Sequence, residues 1–183
     1  MTPNSSVRLI TGHFNNTGLD TIAEKVSGSG VVTAYLWLQC GSYHDPAGKQ
    51  GLAHFYEHIA FRSSDCLREG TVAQRAETMG ISLNAFTSFD LIAFHATTTP
   101  ERLQDAVHLL QDIAFHNPFT DEQIEIERKI ILEEALEIDD DHEELLNELC
   151  FAKIYLNQPY ANPIIGFKHS INNIKFTDLR NFC

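Results

Sequence analysis

Five residues, His54-Phe55-Tyr56-Glu57-His58, restrict this chain more than any other feature of its sequence. They sit in a run from Leu52 to Phe61 whose apolar residues recur at helical spacing, and on a helix residues four apart share a face. Both imidazoles therefore reach one point, with Glu57, three residues after His54, projecting beside them. Two neutral imidazoles and one carboxylate, with a fourth position left to water, form the layout of a catalytic zinc site, and Glu57 is then the general base that takes a proton from water. Taken alone, the pattern fits equally well two half-buried histidines beside a glutamate. A third ligand from a distant segment decides between the two.

The distribution of charge points to that segment. The chain carries 13 Lys and Arg against 25 Asp and Glu, a formal net charge of −12. Thirteen of those acids lie between Asp121 and Glu148, against only Arg128 and Lys129, so this stretch holds −11 and the remainder is almost neutral. This excess of acid argues against nucleic acid as the main partner. The stretch opens with Thr120 and Gln123, a capping box, and runs as a helix to about Ile138 with an apolar stripe of Ile124, Ile131 and Ile138. At roughly 100° per residue, Glu127 falls about 40° and Glu134 about 60° from Ile131, whereas Glu133 points roughly 120° away from Glu127. Carboxylates on a core-facing stripe are costly unless they are paired or bind a cation. Glu134 is the expected third ligand, and Glu127 a second carboxylate at the same site; the alternative is a helix that tilts out of the core. The run Asp139-Asp140-Asp141 lacks the spaced loop and central glycine of a calcium site and reads as a solvated helix end.

The order of elements gives the fold class. Strands are expected at Val7–Thr11, Leu19–Val26 and Val31–Cys40, then a loop from Gly41 to Gly51 and the helix that carries the histidines. A second helix, Thr71–Met79, is stopped by Gly80, and Ile81–Thr87 with Leu91–Thr98 forms a hairpin. Thr99-Pro100 opens a helix with Leu103, Ala106, Val107, Leu110, Ile113 and Ala114 on one face. The acidic helix follows, then one from about His142 to Tyr155, a loop with Pro159, Pro163 and Gly166, and a short helix capped by Thr177. Strands followed by helices, with an antiparallel hairpin, imply an α+β fold: an antiparallel sheet packed by helices. At 183 residues and 43% hydrophobic, one domain with a sizeable core is expected. No apolar run reaches the ~18 residues of a membrane span, and the N-terminus lacks the features of an export signal, so a cytoplasmic location is expected. Cys40, Cys66, Cys150 and Cys183 form no CxxC pair and are expected as buried free thiols.

The motif His54-Phe55-Tyr56-Glu57-His58 is the inverse of the HExxH sequence of zinc proteases. With its surroundings it resembles the N-terminal catalytic domain of the insulinase and pitrilysin metallopeptidases, which include the mitochondrial processing peptidase. The resemblance runs from about residue 31 to 183. It rests on Gly41-Ser42, on Gly51-Leu52-Ala53 leading into the motif, on Gly80-Ile81-Ser82-Leu83-Asn84-Ala85-Phe86-Thr87-Ser88, on Glu127-Arg128 and on Ile131-Leu132-Glu133-Glu134. In that family the third ligand follows the second histidine by about 76 residues, as Glu134 follows His58. The resemblance implies one zinc ion on His54, His58 and Glu134, Glu57 as catalytic base and Glu127 as a supporting acid. It implies a peptide substrate pairing with an edge strand through Asn84, Ala85 and Phe86. It also implies a shortened single domain, residues 1–183, lacking its last strand and helix and the second homologous domain. The expected function is zinc-dependent endopeptidase activity, with a second homologous subunit or a homodimer as partner. The alternative is a non-catalytic or partner-dependent subunit of a two-chain peptidase. A less favoured one is a zinc enzyme like the S-ribosylhomocysteine lyases, with Cys150 as the thiolate ligand.

Overall fold

The computed structural model describes residues 8–14, 19–62, 72–116 and 118–182, and Val7, Cys66, Thr71 and Cys183 fall outside them. The fold is α+β. Strands β1 (Arg8–Phe14) and β2 (Leu19–Lys25) form an antiparallel hairpin. Strand β3 (Val32–Leu38) belongs to a second, three-stranded antiparallel sheet with β4 (Ser82–Thr87) and β5 (Ile92–Thr98), in the order β3-β5-β4. Because β5 is central, it is the strand buried almost throughout, and β4 is an edge with only β5 beside it among the described residues.

Alternation along the strands decides which face is covered. Leu36, Phe94, Ala96, Leu83 and Ala85 turn toward one core shared with the helices, while Tyr35, Trp37, Asn84 and Phe86 point the other way. The covering helices are α1 (Leu52–Arg62) and α3 (Leu103–Phe115), with α2 (Val72–Thr78) between them in sequence. Next come α4 (Asp121–Asp140), α5 (His142–Ile154), α6 (Lys168–Asn173) and α7 (Phe176–Arg180). Helix α4 packs on α1, α5 and α6.

Several boundaries differ from the sequence expectation for local reasons. Strand β3 stops at Leu38 because the chain turns into close contact with the β4–β5 loop: Ser42 N–H donates to Ser88 O at 3.1 Å and Tyr43 N–H to Phe89 O at 2.8 Å. A side chain on Gly41 would meet the Ser88 and Phe89 carbonyls, which is why glycine stands there. Pro100 opens a single 3₁₀ turn, Pro100–Arg102, and α3 begins only at Leu103. Its buried face is centred on Leu109, Leu110 and Ile113, leaving Leu103 and Val107 at the rim. The C-terminal segment forms two short helices, not one, and α7 is capped at Lys175, whose N–H donates to Asp178 Oδ2 at 2.8 Å, rather than at Thr177. Asp141 ends the acidic run by accepting from the N–H groups of Glu143 and Glu144, so it N-caps α5. The expectation of buried free thiols fails for both described cysteines: Cys150 is free but exposed on α5, and Cys40 is disulfide-bonded. Among the described residues no helix is long and apolar enough to cross a membrane.

Candidate metal centre

Helix α1 buries Leu52, Phe55, Tyr56, Ile59 and Ala60, and this apolar face fixes its rotation so that His54 and His58 emerge together, 4.6 Å apart between ring centroids. Helix α4 is held in place by the Thr120–Gln123 capping box, with Thr120 Oγ1 accepting from Gln123 N at 3.2 Å and Gln123 Oε1 accepting from Thr120 N at 2.8 Å. Ile124 and Ile131 are buried along its stripe, and so are Glu127 and Arg128. Arg128 pays the desolvation of its charge back by donating to the carbonyls of Ile171 and Ile174 and lying 5.4 Å over the Phe55 ring. The sequence marks Arg128 only as a member of the Glu127-Arg128 pair and gives it no role, although an arginine beside two stripe isoleucines was the available signal.

The two helices bring His54, His58 and Glu134 into one group, with one ligand atom from each lying within 4.8 Å of the others. His54 Nε2 is 3.8 Å from Glu134 Oε1, and His58 Nε2 is 3.4 Å from Glu134 Oε2. Ligands around a tetrahedral zinc stand about 3.4 Å apart, given metal–ligand bonds of about 2.0–2.1 Å, so the spacing suits such an ion. Glu127, only 3% exposed, lies on the far side of His58: its Oε2 is 3.3 Å from Nδ1, and its Oε1 accepts from Arg62 Nε. It sits behind a ligand-type residue rather than among the three. Cys150 lies outside the group, exposed on α5.

Electrostatics of the centre favour a cation. Burial and the neighbouring His58 pull His54 down to about 4, which favours the neutral imidazole that a metal needs; its Nδ1 is buried without a hydrogen-bond partner among the described residues. Burial also opposes charge on His58, but hydrogen bonds to Glu127 and Glu134 outweigh it and push it up to about 9. A proton on Nε2, facing Glu134, stands where a metal ion bound to that nitrogen would be, so metal binding would displace it. Glu134 is held below the usual carboxylate range by its hydrogen bond to His58, against burial. Glu57 behaves in the opposite way: burial raises it, with only partial relief from Thr87, whose Oγ1 donates to Glu57 Oε2 at 2.5 Å. That bond ties Glu57 to the edge strand β4, a link the sequence did not reveal.

Asn84 and Phe86 lie on the exposed face of β4 and Ala85 on the inward face. Asn84 Oδ1 accepts from the N–H of Ala85 at 2.8 Å. Strand β4 and the His54–His58–Glu134 group are therefore linked through Thr87 and Glu57.

The base of α1 is pinned by the loop that precedes it. Asp45 accepts from the N–H groups of Gly51 at 2.7 Å and Ala53 at 2.9 Å, which caps the first turn of the helix. Burial pushes Asp45 up to about 7 despite those bonds.

The family model for "Insulinase (Peptidase family M16)" matches residues 21–168 of this chain. An uncharacterized zinc protease of Mycobacterium leprae is 30% identical over 165 residues, covering 90% of this chain and 37% of that protein. The mitochondrial-processing peptidase subunit beta of Neurospora crassa is 32% identical over 150 residues, covering 82% of this chain and 32% of that protein. Among solved structures, a protease from Helicobacter pylori superposes with a TM-score of 0.85 at 24% identity, over 96% of this chain and 42% of that one. The chain spans about a third of the length of these curated relatives.

Proposed function

The chain belongs to the insulinase family, peptidase family M16, and from that premise we propose that it is the metal-carrying unit of a zinc endopeptidase acting on peptides or unfolded segments. The observation that carries this reading is the convergence of His54, His58 and Glu134 from two helices, with Glu57 beside them. The zinc of the curated relatives' names fits two nitrogen donors and one carboxylate. Zinc held by His54, His58 and Glu134 would supply a Lewis acid that polarises the scissile carbonyl and eases deprotonation of water.

The chain's own residues do the rest. Glu57, raised by burial, accepts the proton of the attacking water and afterwards delivers it to the leaving nitrogen. Thr87 holds the Glu57 carboxylate toward β4. The free edge of β4 offers main-chain donors and acceptors to an extended peptide, which adds as a further strand. In that arrangement Ala85 contacts the peptide from the inward face, and Asn84 and Phe86 from the outward face. Glu127 keeps the His58 ring oriented through Nδ1.

A second reading concerns partnership. One relative is by name a subunit, and this chain matches about a third of it, so we propose that cleavage requires a second homologous unit, either another subunit or a second copy.

The test is zinc content together with cleavage of an unstructured fluorogenic peptide, for the native chain and Glu57→Gln, each assayed alone and together with a homologous partner chain. Glu57→Gln is expected to retain zinc and lose cleavage by about 10³-fold, the scale of a lost general base. Retained cleavage sinks the assignment of the base, and a native chain free of zinc sinks the whole reading.

A further inference from the structure

The C-terminal end of α1 contributes one residue that bonds twice to the other ligand-bearing helix. The Arg62 side chain donates through Nε to Glu127 Oε1, and the Arg62 carbonyl accepts from Gln123 Nε2 at 3.1 Å. Glu127 in turn stands 3.3 Å from His58 Nδ1. A continuous path thus runs from Arg62 through Glu127 to the histidine whose Nε2 faces Glu134. The Glu127 carboxylate is almost completely buried, with its side chain 4% exposed, while Arg62 is 45% exposed and reaches it from the rim. A buried carboxylate with a single imidazole partner would be free to rotate about its terminal bond. The second, charge-assisted bond from a guanidinium fixes that rotation and balances the charge.

We infer that Arg62 is a positioning residue for the metal centre, latching α1 to α4 and fixing the Glu127 carboxylate so that His58 presents Nε2 to the ion. The inference rests on the proposed role of His58 as a ligand, and it adds a third layer to the site: the ion's ligand, the carboxylate behind it, and the cation behind that. Outer partners of metal-binding histidines typically change metal affinity by 10–100-fold when removed, and a residue one step further out sits at the lower end of that range.

The experiment measures the zinc dissociation constant of the full chain by competition with a chromophoric chelator. It uses Arg62→Met and Arg62→Lys, each made in the native chain and in Glu127→Gln. Arg62→Met is expected to weaken zinc binding about tenfold in the native chain. Arg62→Lys, which keeps the charge and one donor, recovers part of that loss. In the Glu127→Gln background Arg62→Met changes nothing further, because the residue it acts through is already altered. Cobalt substitution gives a second readout: the visible absorption of the cobalt form shifts in Arg62→Met and not when Arg62→Met is added to Glu127→Gln. Unchanged zinc affinity in Arg62→Met overturns the inference, as does an equal loss in both backgrounds, which marks a purely structural role. If Arg62→Met does not fold, the Arg62→Lys pair completes the cycle and decides in the same way. A native chain that binds no zinc removes the proposed function and this inference together, whereas native binding with no effect of Arg62 removes only the inference.

Discussion

The seat of α1, the helix that carries His54 and His58, and the N-terminal hairpin show two ways in which the same chain makes ordered backbone. Just before α1, Gly51 and Gly166 stand back to back at φ values of 93° and 86°, so close that a side chain on either would strike the other's backbone. Ser170, fully buried, donates to Gln50 O at 2.7 Å, and Lys49 Nζ donates to Asp178 Oδ2 at 2.6 Å, ties that span more than a hundred residues. The β1–β2 hairpin has a full antiparallel register from Arg8↔Lys25 to Phe14↔Leu19, yet Leu9 is 58% and Ile22 is 74% exposed. Main-chain pairing alone leaves a two-stranded hairpin marginal, whereas a helix proposed to hold metal ligands to within tenths of an ångström needs long-range ties on both sides.

The largest effect expected from this contrast is at Gly166. In Gly166→Ala the new Cβ meets the Gln50 carbonyl and the Gly51 Cα, and the residue must also hold a positive φ. A loss of about 3 kcal/mol in urea unfolding is expected, with weaker zinc binding because the start of α1 moves. A loss below about 1 kcal/mol would show that the seat yields as easily as a surface loop and would erase the contrast with the hairpin.

How much of this was legible in the sequence depends on the range of the interaction. The α+β class, the hairpin of β4 and β5 and the capping box of α4 are local patterns, and the structure contains them. The grouping of His54, His58 and Glu134 was legible because a 3.6-residue period fixes which side of each helix a residue occupies, and both helices carry apolar stripes that must face the same core. Arg62, Thr87 and Asp45 were not legible. Arg62 and Thr87 act through bonds to residues placed by tertiary packing, whereas Asp45 acts locally, on the N–H groups of Gly51 and Ala53, from a loop position too far ahead of α1 to read as its N-cap. Arg128 is an intermediate case, a charged residue on a stripe whose buried partners, the carbonyls of Ile171 and Ile174, are main-chain atoms that no side-chain pattern reveals.

A pH experiment sharpens the comparison from the electrostatic side. Burial holds Asp45 at about 7 in the folded chain against an ordinary 3.8, so the folded state binds this proton more tightly than the unfolded one. The stabilisation is complete below about pH 4 and is lost as pH rises to about 7, on the order of 2 kcal/mol in all once solvent access is allowed for. Asp45→Asn removes the ionisation, so the native chain minus Asp45→Asn difference in unfolding free energy, measured metal-free at pH 4.5 and 8, should shift in favour of the variant at the higher pH. A pH-independent difference would mean that the N–H groups of Gly51 and Ala53 solvate the carboxylate fully.

The smallest effect belongs to the hairpin. Ile22 is paired across from Thr11 on a ribbon whose apolar side chains face water, so replacing it removes little buried surface. Ile22→Thr keeps a β-branched residue that suits a strand and is expected to change the unfolding free energy by no more than about 0.5 kcal/mol, with zinc affinity unchanged. Because the substitution costs no strand propensity, any larger loss must come from contacts made by the apolar face itself. A loss above about 1.5 kcal/mol that grows with protein concentration would place a partner on the hairpin, and one independent of concentration would place it against this chain's own surface. Either result would make the hairpin a packed element like the seat of α1.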